Sequence, residues 1–155
     1  MALMTVADPQ AGRATPEALV ETFEILLAEA DLPGFQKILG VGRFSLKRRR
    51  ETETLFTALC TSLWRLAMSS AIPDMGEPAY MLYRDSLWVR MKDADTYVVL
   101  ISDIMGHLPD SGKADFTPTA RELLRRAGVR EEPPILVGLA LFLRHLYEYF
   151  FNHLL

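Results

Sequence analysis

Apolar side chains recur along this chain at three- and four-residue intervals, the repeat of an α-helix with one covered face. Leu19, Val20, Phe23, Leu26, Leu27 and Ala30 form the first stripe. Thr15 is placed to cap it, Pro16 suits the first helical position, and Glu17 lies at the positive end of the helix dipole. Pro33-Gly34 is expected to stop this helix. A short helical turn is expected over 35–39, and Gly40 and Gly42 then break the chain again. The second and longest helix is predicted from a Ser45 cap to about Ala71. Leu55, Phe56, Leu59, Cys60, Leu63, Leu66 and Ala67 point inward, and Glu51, Thr54, Thr57, Thr61 and Arg65 outward. Pro73, Gly76 and Pro78 read as the loop that follows.

Residues 79–91 fit two patterns. As a helix, Tyr80, Tyr83, Leu87 and Met91 align. As a small β-hairpin over 80–91, two aromatic and β-branched runs meet through Arg84-Asp85-Ser86, which offers no glycine for the turn. Residues 95–107 return to the helical repeat, with Tyr97, Leu100, Ile101, Ile104, Met105 and Leu108 inward. A polar loop containing Gly112 covers 109–116. Thr117-Pro118 echoes the Thr-Pro opening of the first helix. The short helix that follows turns Leu123, Leu124 and Ala127 inward and ends at Gly128 in the left-handed conformation. The last helix, about 134–153, has no polar face from Ile135 to Phe142 and a narrow polar strip of Arg144, His145, Glu148 and Asn152 afterwards.

These elements predict a mainly α fold: one antiparallel helical bundle of five to six helices over 15–155, behind a disordered lead at 1–14. At 155 residues, with half of them apolar and 24% charged, the chain has the composition of a single globular domain. A helix that is apolar all round is normally buried on every side. The last helix is therefore expected in the middle of the bundle or at an interface between two copies. Leu136, Leu139, Leu143, Tyr147, Phe150 and Phe151 are the candidate contacts of a homodimer or of a protein partner. The apolar run 135–143 is too short to span a bilayer, and no charged and apolar leader opens the chain. One cysteine, Cys60, permits no intrachain disulfide and points to a reducing, cytoplasmic setting.

Candidate chemistry is sparse. Lys47-Arg48-Arg49-Arg50 could grip phosphate or nucleic acid, with Phe44 stacking on a base. The net charge of −3 supplies no global attraction to such a partner. Glu51 and Glu53 follow at i,i+4 from Lys47 and Arg49, the spacing of a solvated, self-paired face. Asp103 with His107, and His145 with Glu148, are metal-ligand types at helical spacing, but the ligand number falls short of a bundle metal centre. Phe56, Trp64 and His153 are the candidate lining of an apolar ligand pocket between the second and last helices. His153 is also the one conceivable haem ligand, although its terminal position favours a hydrogen bond to a carbonyl. Phosphate-loop, dinucleotide-binding, nucleophile-elbow and zinc-protease motifs are absent. No cofactor is predicted. The sequence favours a non-enzymatic interaction or regulatory protein that self-associates and binds a protein partner. A small-ligand sensor and a phosphate or nucleic-acid binder are the alternatives.

Overall fold

The computed structural model describes residues 15–41, 45–110 and 115–154. The lead at 1–14, Gly42, Phe44 and Gly112 lie outside them. Seven helices are present among the described residues: α1 (Pro16–Glu29), α2 (Leu32–Ile38), α3 (Leu46–Ala71), α4 (Pro73–Arg90), α5 (Ala94–Met105), α6 (Thr117–Ala127) and α7 (Pro133–Asn152). No strand occurs among these residues, so 79–91 is helical and the hairpin alternative falls.

The helix ends show where proline acts. Thr15 accepts the Ala18 N–H at 3.1 Å and caps α1 as expected. Pro33-Gly34 does not end α1. Asp31 caps a new helix by accepting the Gly34 N–H at 2.9 Å, and Pro33 sits in the first turn of α2, where no N–H is needed. Pro73 likewise opens α4 rather than a loop, and Pro78 is carried inside that helix. Gly76 is required by packing: a Cβ there would lie 3.0 Å from Met68 Cβ, so its absence lets α4 lie close against α3. Ile72 alone joins α3 to α4, ending one helix and starting the other. Gly128, at φ +67°, closes α6 in the left-handed conformation, as read from the sequence. The Thr-Pro echo is only partial: Phe116, not Thr117, precedes α6, and the Thr117 N–H is taken by Asp115.

The middle of the bundle is α3, which contacts each of the other six helices. From Ala58 to Met68 every residue except Arg65 is buried. Thr61, expected on the outer face, is fully buried and lies 3.4 Å from the Tyr97 hydroxyl. Ser62, also buried, donates to Ala58 O at 2.8 Å and reaches Ile101 O of α5 at 3.3 Å. Each buried hydroxyl thus has a partner, as a low-polarity interior demands. An aromatic knot lies beside these hydroxyls. Phe23 stacks on Trp64 at 4.3 Å between ring centres and meets Tyr83 edge-on at 5.2 Å, with Phe150 at 5.6 Å. It joins α1, α3, α4 and α7.

The last helix is not the centre. α7 packs on α3, α6 and α2 through Leu136, Leu139, Leu143, Leu146 and Phe150, while Val137 and Leu141 stay 66% and 51% exposed on its other side. It is 20 residues long, and an 18-residue stretch of it with a mean hydropathy of 1.2 reaches the length and composition that can cross a bilayer, which the run 135–143 alone does not. Within this fold the helix is amphipathic, and Arg144 pairs with Glu148 at 3.4 Å on the outer face.

Candidate functional site

The basic run occupies the first turns of α3, where four successive residues fan through about 300° around the helix axis and cannot face one ligand together. The Arg48 guanidinium donates to Ala127 O at 3.1 Å, satisfying a carbonyl in the last turn of α6. Lys47 and Arg49 are exposed, and neither closes an ion pair with Glu51 or Glu53 among the described residues. Arg50 faces a cleft between helices. Phe44, the proposed stacking partner, lies outside the described residues.

The metal candidates are committed elsewhere. Asp103 binds Arg126 at 3.0 Å, His107 Nε2 lies 3.6 Å from Glu122, and Glu148 pairs with Arg144. His145 borders a separate cleft of about 310 Å³ with Glu29, Asp31 and Tyr149. No three His, Cys, Asp or Glu side chains converge as a metal site among the described residues. Phe56 and Trp64 are packed solid, 3% and 1% exposed, so the expected pocket between them and the last helix is filled by protein. His153 is exposed rather than on the apolar face, with Nδ1 2.7 Å from Tyr149 O.

The expected interface residues divide in two. Leu136, Leu139, Leu143 and Phe150 are buried inside the chain itself and offer no surface to a partner. Tyr147 and Phe151 remain at the edge, 5.9 Å apart, with Tyr147 also against Phe116 at 5.7 Å.

Two features were not singled out in the sequence. The first is Glu122, a carboxylate only 8% exposed at the α5–α6 contact. It accepts from Arg125 Nε at 2.6 Å and Nη2 at 2.7 Å, and from Arg126 Nε at 3.0 Å. The Arg125 hydrogen bonds hold its carboxyl far down, from an ordinary 4.5 to about 2, against the opposing effect of burial. Arg126 bridges on to Asp103, so α5 and α6 are clamped by charge. The i,i+3 and i,i+4 spacing from Glu122 to Arg125 and Arg126 was the available signal. With these donors engaged, the carboxylate has little capacity left as an acid or base.

The second is the outer face of α4. Met81, Leu82, Trp88 and Val89 are exposed, at 43%, 38%, 47% and 88%, and share one side of the helix with Pro78 and Asp85. The Trp88 indole is held in place: Nε1 donates to Asp95 Oδ1 at 2.8 Å, and the Arg84 guanidinium lies 5.1 Å from its ring centre. Val99, 58% exposed, follows Asp95 by one helical turn and continues this surface onto α5. The signal was the spacing 78, 81, 82, 88, 89. It was obscured because the prolines and Gly76 read as a loop.

No protein family, curated protein or solved structure matches the chain.

Proposed function

We propose that this chain is a non-enzymatic helical interaction protein, regulatory in role, that pairs with a second copy of itself through the outer face of α4 and presents the paired surface to a protein partner. The observation that carries this reading is the row Met81, Leu82, Trp88, Val89, apolar and open to water along one helix face. Methionine and tryptophan are the residue types enriched in interface cores. A tryptophan fixed by Asp95 and Arg84 has little freedom left to lose on docking. Arg84 and Asp85 adjoin at 3.6 Å on this helix. Asp85 lies within the apolar row, and in a two-fold pair of antiparallel α4 helices the other copy's Arg84 is the cation that would meet it. The perturbed carboxylate Glu122 is held by arginines, which favours a structural role for it. Cys60 is fully buried and its thiol pushed up by burial, which fits a structural residue in a reducing compartment.

Sedimentation equilibrium at micromolar to high-micromolar concentration tests the reading. The wild type is expected to show a concentration-dependent dimer, and the variants Val89→Glu and Met81→Glu a monomer of unchanged helix content. A wild type that stays monomeric throughout removes the self-association. Dimers that persist in both variants move the interface off α4.

A further inference from the structure

On the side of α4 facing away from Trp88, a cleft of about 530 Å³ opens where α1, α3, α4 and α5 meet. That size lies within the range of small-molecule sites, which in helical bundles form between helices. Its lining is segregated. Leu27 and Met91 give the apolar surface open to the cleft, and Leu87, Tyr83 and Tyr97, 2–4% exposed, close it from behind. Arg50, Thr54 and Thr57 of α3 form one polar wall, with Glu53 beside them, and Arg90 of α4 stands on another helix of the rim.

The charges select the ligand class. Two guanidiniums line the cleft with the carboxylate of Glu53, and the pairing of Arg90 with Glu24 leaves Arg50 as the guanidinium open to a ligand. Arg90 is steadied by Glu24 of α1 at 3.3 Å and by Ser86 Oγ at 3.3 Å. Arg50 has no ion-pair partner among the described residues, although it borders an apolar hollow. A planar guanidinium with unused donors fits a carboxylate bidentately. The phenols do not oppose an anion. Burial raises the pKa of both Tyr83 and Tyr97, so they stay neutral, and Tyr97 rests against Thr61 at 3.4 Å.

We propose that this cleft binds a small organic carboxylate with an apolar or aromatic body, its charged end held by Arg50 and its body laid on Leu27 and Met91. The site is separate from the self-association surface and does not depend on it. Two of the arginines in the molecule thereby acquire different tasks within one run: Arg48 closes the end of α6, and Arg50 addresses a ligand.

The probe pair is 2-naphthoate and its neutral counterpart 2-naphthylmethanol, titrated by calorimetry into the full chain and followed by NMR. Saturable naphthoate binding is expected, about tenfold tighter than the alcohol, as one charge-assisted contact supplies. Arg50→Gln, a change at an exposed position without a partner, is expected to erase that preference while the alcohol binds as before. Thr54→Phe, which fills the cleft mouth from an exposed position, should weaken both probes. Val89→Glu should bind as the wild type does, whatever its oligomeric state. The proposal is overturned if acid and alcohol bind equally, or if neither saturates in the millimolar range. It is also overturned if Arg50→Gln leaves the preference intact, or if the shifted resonances belong to Trp88 rather than to Leu27 and Met91.

Discussion

Helices α3 and α7 invert the expectation that composition sets. α7 is the most apolar stretch of the chain, yet Val137 and Leu141 face water along one whole side. α3 begins with Lys47-Arg48-Arg49-Arg50 and carries five threonine and serine residues from Thr57 to Ser70, yet it is the element on which all the others pack. The difference lies in how polar groups are satisfied. Thr61 and Ser62 return their hydroxyl protons to carbonyls one turn earlier in α3, so they enter the core without carrying an unpaired donor. Small side chains such as Ala58, Cys60 and Ala67 then let neighbours approach from every direction. A central position in a bundle calls for slender, internally satisfied side chains. High mean hydropathy by itself leads only to one well-packed face.

The largest effect that could break this comparison is expected at Trp64. Trp64→Ala removes the stack with Phe23 and the edge contact with Tyr83, and should destabilise the fold by about 3–5 kcal/mol in urea unfolding. In α7, Leu139→Ala, at a fully buried position, should cost about 2–5 kcal/mol. A loss below this range at Leu139 would mean that α7 is held far more loosely than α3. A third measurement uses acid. The folded-state carboxyl of Glu122 is depressed to about 2, so its contribution to stability is complete above an unfolded value near 4.5 and is lost as pH falls from there toward 2. Glu122→Gln should flatten that limb of the stability profile and lower stability at neutral pH by stripping Arg125 and Arg126 of their shared partner. An unchanged acid limb would show that the Glu122 pairs with Arg125 and Arg126 contribute nothing. The smallest effect is expected on the outer side of α7. Leu141→Gln should change stability by no more than about 0.5 kcal/mol. If it costs as much as Leu139→Ala, another subunit or a membrane covers that side, and the contrast with α3 disappears.

Much of this arrangement was legible in the residues. The stripe Leu19, Phe23, Leu26, the Thr15 cap, the Ser45 cap, the inward Tyr97, Ile101 and Ile104, and the Gly128 stop all follow from spacing and backbone preference, and all recur in the fold. The misreadings share a cause. Pro33, Pro73 and Pro78 read as interruptions, but Pro33 and Pro73 sit in first turns, where the missing donor is not used, and Pro78 lies inside α4 without ending it. Gly76 looked like a turn residue because the reason for it, Met68 of the neighbouring helix, appears only in three dimensions. The candidate sites suffered more, since they depend on contacts between distant segments. Arg48 meets Ala127, 79 residues away, and Tyr149 donates to Leu26 O, 123 residues away. Neither pairing has a periodic signature. The cleft at Arg50 gathers residues from four helices, so no single stretch announces it.

Ile72 is the entire connection between the two longest helices of the first half. Its own N–H closes onto Met68 O at 2.8 Å, while its carbonyl receives both Met75 and Gly76 at 3.0 Å. A joint with every hydrogen-bonding group spoken for and no spare residue behaves as a weld. The angle at which α4 leaves the central helix is therefore set within one residue, and Gly76 is brought directly against Met68. Lengthening the joint by a single glycine would loosen that angle and part Gly76 from Met68.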